Sequence, residues 1–299
     1  MSGSDPAARF ALWARPLGNV RAAVLVGSRQ RGTHQSAGAD RCSDWDIQLV
    51  VRRPEAFRQG GWLSGVGLGP AAAYAVRKPL WAGGFKVGVV LAEAELDLLV
   101  MPAGPMRRLR WAAALGWHRR SRRARRALEQ LGLLVRQGWR FLKRAGWVEA
   151  LYRSVSALPE PRLPDAEIRR IAAGFVCDYV WTIRKIERGE LLAAQRMLHL
   201  GLAEANFRLH HEARARRGQP SFAEARRAEQ VNDSAGLAAI RIDSACAAGP
   251  LRRAADQAAA ACEARVGELL GRRWALPRLR PPAIPPPGAQ PPPKNPPAW

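Results

Sequence analysis

Apolar residues in the first third of the chain follow the two-residue period of β-strands. Residues 20–27 form a short apolar run that ends in glycine, as buried strands often do. Residues 45–51 alternate between apolar and polar positions. Residues 85–91 and 96–101 are two more β-rich runs, and the short link between them predicts an antiparallel hairpin. The pattern therefore predicts a small mixed sheet.

After Pro102 the apolar residues recur at the three- and four-residue spacing of amphipathic helices, and no further strand is expected. Prolines at 159–164 predict a break between helices, and Asp165 is expected to cap the helix that follows. Residues 277–299 contain 11 prolines, which predicts a disordered tail because proline cannot join helix or sheet ladders.

These patterns predict an α+β fold. We expect a small mixed-sheet α/β domain over residues 1–103, an all-helical domain over residues 104–276 and the proline-rich tail over residues 277–299. Hydrophobic residues make up 47% of the chain, which is enough to build a core and excludes wholesale disorder.

Several classes of protein are excluded by what the sequence lacks. Its four cysteines are widely spaced without a CxxC pair, which fits neither a zinc framework nor a disulfide scaffold. No apolar segment of the signal-peptide type follows Met1, and the apolar stretch at 171–183 is too short to span a bilayer. The expected location is a reducing cytoplasm, with no membrane partner.

The charge of the chain is unevenly distributed. It has 48 basic and 25 acidic residues, a net charge of +23, and all but five of the basic residues are arginines. Residues 104–144, here called the arginine strip, carry 13 basic residues and one acidic residue, a net charge of +12. Such a strip attracts anions. A solvated helix, attraction of ATP or pyrophosphate, and binding of nucleic acid each account for it.

Three acidic residues stand on predicted strands. Asp44 and Asp46 are two positions apart at the start of one strand, so the strand period places both carboxylates on one face. Asp97 lies among apolar residues in the second strand of the hairpin, where an unpartnered carboxylate is unfavourable. Together these oxygens form a suitable cage for a hard cation such as Mg²⁺.

The first strand ends in Gly27-Ser28-Arg29 at the same expected edge of the sheet. A serine hydroxyl and backbone N–H groups in such a turn can hold a triphosphate, and Arg29 adds a charged donor. The ordered set of strand, Gly-Ser-Arg turn, Asp-x-Asp and later Asp therefore predicts metal-assisted chemistry on a phosphate ester.

This ordered set resembles the polymerase-β-type nucleotidyltransferases, and within them the streptomycin (aminoglycoside 6-) adenylyltransferases. The resemblance covers residues 8–275. It extends to these segments in order: Gly61-Trp62-Leu63-Ser64, Val76-Arg77-Lys78-Pro79, Gly84 to Leu91, Leu96 to Pro102, Phe175 with Tyr179 and Ile183, Glu190-Leu191-Leu192, and Ile240 to Ser244.

The resemblance implies a nucleotidyltransferase fold and transfer of AMP from ATP to a substrate hydroxyl bound between the domains. Two Mg²⁺ ions would be held by Asp44, Asp46 and Asp97. The resemblance also suggests Glu190 as a general base, although an acid in the first turn of a helix also stabilises the helix dipole without catalysis. The implied substrate is an aminoglycoside such as streptomycin, and the implied phenotype is antibiotic resistance.

Two features depart from the family pattern. The loop between Ser28 and Asp44 is longer than expected, and the His34 that it contains is expected to be solvated rather than catalytic. The net positive charge disfavours a polycationic substrate unless the groove is locally acidic. The acids that could line such a groove are Asp178, Glu187, Glu190 and Glu204. The alternatives are a protein of the same fold that binds or modifies nucleic acid, and a catalytically silent binding module.

Overall fold

The computed structural model describes residues 5–30, 43–136, 138–221 and 225–277. The chain forms two compact units that divide between Pro161 and Arg162. The first unit contains the sheet and the second is helical, so the predicted α+β class is confirmed. No helix in the described part of the chain combines the length and the apolar character needed to cross a membrane.

The sheet has six strands among the described residues. They are β1 (Val20–Leu25), β2 (Trp45–Val51), β3 (Ala73–Pro79), β4 (Phe85–Val90), β5 (Glu95–Pro102) and β6 (Arg140–Lys143). Their spatial order is β3-β4-β5-β2-β1-β6. The β2–β5 pair is parallel, whereas the other neighbours are antiparallel. The predicted hairpin is therefore β4–β5.

Ten α-helices lie in the described part of the chain. In the first unit they are α1 (Pro6–Ala14), α2 (Ala103–Ala114), α3 (Arg122–Val135) and α4 (Gly146–Ser156). In the second they are α5 (Asp165–Glu187), α6 (Leu191–Met197), α7 (Glu204–Arg216), α8 (Ala228–Val231), α9 (Ser234–Ile240) and α10 (Ala248–Leu270), with a π-helical turn at Leu198–Ala203.

The boundary between the units differs from the predicted one at 103/104. Helices α2, α3 and α4 form one apolar cluster with the sheet, in which Val24, Val50 and Met101 pack against Leu128 and Leu151. Helical periodicity shows only that these segments have an apolar face, and the sheet is what that face covers. The arginine strip consequently belongs to the first unit.

The opposite face of the sheet is covered by α1 and by the short helical turn at Gly60–Val66. Phe10, Trp13 and Trp62 meet there, with ring centroids 5.0–6.1 Å apart. Both faces of the central strands are thus buried, which explains why β1 is apolar at nearly every position.

Two predictions about individual segments are wrong. A strand, β6, follows Pro102, where none was expected. Its four residues are too few to show a two-residue period, and pairing with β1 at the edge of the sheet holds them in place. Asp165 is the first residue of α5 rather than its cap, which is Pro164. From that position its carboxylate still interacts favourably with the positive end of the helix dipole. The tail from residue 278 onward lies outside the described residues.

One buried polar pair joins the sheet to α4. The Tyr152 hydroxyl donates a hydrogen bond to Oε1 of Gln48, and both side chains are almost fully buried. Burial raises the pKa of Tyr152, so its hydroxyl keeps its proton and remains the donor. Gln48 lies on β2 two residues after Asp46, so the pair supports the strand that carries the predicted site.

We expect Tyr152→Phe to lower the free energy of unfolding by about 1–3 kcal/mol, because it leaves a buried amide oxygen without its donor. Urea unfolding followed by fluorescence measures the change. The matched control is Tyr179→Phe, which removes a hydroxyl bonded to the exposed Asp256 and should change stability by less than about 0.5 kcal/mol. Equal losses in the two variants would contradict the assignment.

Candidate functional site

The three predicted acids come together at one edge of the sheet. Asp46 lies on β2 and Asp97 lies directly beside it on the parallel strand β5. Asp44 precedes β2 by one residue. One carboxylate oxygen from each of the three acids lies within 4.8 Å of the others, and Asp97 is 8% exposed. The parallel register therefore brings together Asp46 and Asp97, which are 51 positions apart in sequence.

Gly27 permits the close approach of β1 to this cluster. It begins a single 3₁₀ turn, Gly27–Gln30, and has a φ of 76°, which side chains other than glycine rarely adopt. A Cβ atom at this position would lie 2.0 Å from Oδ2 of Asp46. Glycine is therefore required here both by the backbone conformation and by the Asp46 carboxylate.

Ser28 follows Gly27 in the same 3₁₀ turn and carries a buried hydroxyl. Its Oγ atom is inaccessible to solvent and has no hydrogen-bond partner among the residues that the structure describes. A buried polar atom without a partner is unfavourable, so this hydroxyl is suited to a ligand oxygen. This observation agrees with the triphosphate contact predicted for Ser28.

Arg29 ties the turn to the segment that carries Asp44. Its Nε atom donates a hydrogen bond to the Asp44 carbonyl oxygen at 3.1 Å, and its terminal nitrogen donates to the Ser43 carbonyl. The guanidinium also lies over the Trp45 ring, 4.0 Å from the centroid. The geometry thus gives Arg29 a positioning role in addition to the charged donor expected from the sequence.

Lys86 is a residue of the site that the sequence patterns did not predict. Its ammonium forms an ion pair with Oδ2 of Asp97, and both side chains are mostly buried. Lys86 lies on β4, two residues before Gly88, which pairs with Asp97 across the hairpin. A lysine within an apolar strand was the available signal, but only the hairpin register shows which acid it faces.

The donor set fits a divalent metal ion. Three carboxylates whose oxygens converge within 4.8 Å repel one another, and a hard cation with oxygen ligands relieves that repulsion. The residues able to hold it are Asp44, Asp46 and Asp97. The Ser28 hydroxyl, which has no hydrogen-bond partner in the described part of the chain, adds a donor for an oxygen of a metal-bound phosphate ester.

Glu190 lies in the second unit, whereas the three aspartates lie in the first. It is the N-cap residue of α6, and its carboxylate pairs with Lys185 and lies 3.9 Å from Arg188. These contacts account for the residue structurally, and its role as a general base stays a prediction. The loop residues 31–42, including His34, lie outside the described residues.

Two of the other acids considered for a groove in the second unit lie in partly enclosed surroundings. Asp178 is partly buried against Gly201 of the π-helical turn, and this burial raises the pKa of its carboxyl. Glu204 lines a cleft of about 560 Å³ together with His199, Phe207 and Glu229. The cleft thus carries two carboxylates, of Glu204 and Glu229, and also the guanidinium of Arg241.

Comparisons with solved structures give distant structural neighbours, and two of them are described below. No family model and no curated protein matches the chain. An aminoglycoside 6-adenyltransferase from Bacillus subtilis is 13% identical, with 91% of each chain covered and a TM-score of 0.37. A nucleotidyltransferase-like protein from Exiguobacterium sibiricum is 11% identical over 87% of this chain and 75% of that one, with a TM-score of 0.34. At this distance neither superposition assigns an activity, so function has to be inferred from the site.

We expect Gly27→Ala to weaken Mn²⁺ binding about 10- to 100-fold, because the new methyl group displaces the Asp46 carboxylate. Isothermal titration with Mn²⁺ measures the affinity. Gly18→Ala is the matched control, since its added Cβ would meet nothing within 4 Å and should leave binding unchanged. Parent-like affinity in Gly27→Ala would contradict the geometry of the turn.

Proposed function

We propose that the protein is an ATP-dependent nucleotidyltransferase that transfers AMP to a hydroxyl of a small substrate. The observation that carries the proposal is the meeting of Asp44, Asp46 and Asp97 at the sheet edge where the Gly27-Ser28 turn ends β1. This edge combines ligands for a hard cation with a buried, unpartnered hydroxyl donor for a phosphate oxygen.

In the proposed reaction, the acceptor hydroxyl attacks the α-phosphorus of ATP, the bond to the β-phosphate bridging oxygen breaks, and pyrophosphate leaves. Divalent metal held by the aspartates would neutralise charge on the phosphates. Ser28 donates a hydrogen bond from its hydroxyl to a phosphate oxygen, and Arg29 holds the segment that carries Asp44 in place. Catalysis thus depends mainly on positioning and charge neutralisation.

We propose Glu190 as the group that accepts the proton of the acceptor hydroxyl. Its carboxylate is 41% exposed, which leaves it accessible to a substrate, and it forms an ion pair with Lys185. The carboxylate has to leave Lys185 before it can reach the acceptor hydroxyl, so this role requires that substrate binding opens the ion pair. The expected compartment is the cytoplasm, which supplies ATP.

An aminoglycoside such as streptomycin is the acceptor that we propose. The support is the ordered sequence resemblance, together with the carboxylates of Glu204 and Glu229 that line the cleft of the second unit. Carboxylates facing such a cleft attract the amino and guanidino groups of an aminoglycoside even where the whole chain is cationic.

Incubation with labelled ATP, Mg²⁺ and a panel of aminoglycosides tests the proposal. We expect AMP transfer in the parent, a loss of about 100-fold or more in Asp44→Asn and Asp46→Asn, and abolition by EDTA. Glu95→Gln removes an exposed carboxylate from the same strand as Asp97 and should keep parent activity. Equal rates in the parent and both aspartate variants would overturn the site.

Nucleic acid is a second candidate partner, and one observation favours it. Trp111 and Trp117 are 57% and 59% exposed within the arginine strip, and Arg110 lies over the Trp111 ring. Exposed aromatic rings interleaved with arginines are typical of surfaces on which single-stranded nucleic acid stacks. Against it, α3 buries a regular apolar face on the sheet, as an ordinary solvated amphipathic helix does.

Fluorescence anisotropy with single-stranded RNA at several salt concentrations separates the two candidates. For an enzyme of small substrates we expect weak binding that a Trp111→Ala/Trp117→Ala variant does not alter. Tight binding that falls steeply with salt and is lost in this variant, without AMP transfer to any aminoglycoside, would favour the nucleic-acid candidate. Trp181→Ala, an exposed tryptophan in the second unit, is the control.

A further inference from the structure

The ion pair between Lys86 and Asp97 places a fixed positive charge inside the carboxylate cluster. The two side chains lie on antiparallel strands as diagonal neighbours, because Gly88 is directly opposite Asp97 and Lys86 is two residues away. The side chain of Lys86 is 22% exposed and that of Asp97 is 12% exposed. The contact is therefore largely shielded from solvent and from screening by salt.

The strand on the outer side of β4 reinforces this positive surface. Arg77 on β3 lies across Gly88, since a Cβ atom on that glycine would be 3.0 Å from Cδ of Arg77. Lys78 pairs with Lys86 across the same two strands. The β3–β4 hairpin thus brings basic side chains up to the Asp97 side of the cluster, and Lys86 is the one whose ammonium contacts a carboxylate.

The Lys86 ammonium limits how many metal ions the carboxylate cluster can take, because it already occupies Oδ2 of Asp97. A second divalent ion at Asp97 would lie next to the ammonium, where like charges repel strongly in a partly buried site. Two metal ions, as the family resemblance implies, would therefore require Lys86 to leave Asp97.

We propose that the nucleotide-free protein takes one divalent cation, held by Asp44 and Asp46, and that Lys86 occupies the Asp97 side of the cluster in place of a second ion. Lys86 is then a positioning residue that sets the metal stoichiometry. This inference rests on the proposed function, because it assumes that the aspartates are metal ligands.

The test is a titration of the full chain with Mn²⁺ in the absence of nucleotide, in which electron paramagnetic resonance measures the free Mn²⁺. We expect one Mn²⁺ per parent chain. Lys86→Met should bind a second Mn²⁺ or bind the first at least about tenfold more tightly. Lys86→Arg, which keeps the charge, should behave as the parent. Lys78→Met, which removes the exposed lysine on β3, is the control and should also bind one ion.

Two Mn²⁺ ions in the parent, or unchanged binding in Lys86→Met, would overturn the inference. If Asp46→Asn loses Mn²⁺ while Lys86→Met is unchanged, only the inference fails and the proposed metal site stands. If the parent binds no Mn²⁺, both fail. Thermal unfolding of each variant checks its folding.

The double variant Lys86→Met/Asp97→Asn removes both charges and avoids an unpaired carboxylate, so it serves if Lys86→Met does not fold. It should bind one Mn²⁺ with parent affinity, since Asp44 and Asp46 remain. Loss of binding in a folded double variant would overturn the assignment of the ion to those two residues.

Discussion

The parallel pairing of β2 with β5 is the contact on which the candidate site depends. All other pairs in the sheet are antiparallel, and most join strands that are close in sequence. The parallel pair instead brings Asp46 beside Asp97, and it starts both strands at the same edge. A slip of one residue in this register would turn one of the two carboxylates to the opposite face of the sheet.

That register is fixed by burial on both sides of the sheet. One face of β2 carries Ile47 and Leu49 into the cluster beneath α1, and the other carries Gln48 and Val50 against the helices α2–α4. Since every residue of the central strand has a required environment, no alternative register keeps the apolar positions covered. The aspartates lie where this packing ends, at the start of the strand.

Electrostatics gives the small number of acids in this basic chain distinct roles. Many are paired with arginine, as Glu167 is with Arg170 and Arg208, which lower its pKa to about 2. At the sheet edge three carboxylates come within 4.8 Å of one another, and Lys86 forms an ion pair with Asp97. The net charge of the chain therefore says little about the site, because the local arrangement of a few acids decides which ions approach.

The sequence by itself determined the mixed sheet, the hairpin, the helical second half and the three aspartates, because strand alternation, helical spacing and an acid in an apolar strand are local signals. The tertiary structure alone decided where the first unit ends, that β6 joins the sheet, and that Lys86 faces Asp97. These features depend on which surfaces cover one another and on pairing between distant strands. Such contacts join residues that are far apart in the chain, so a local sequence pattern cannot predict them.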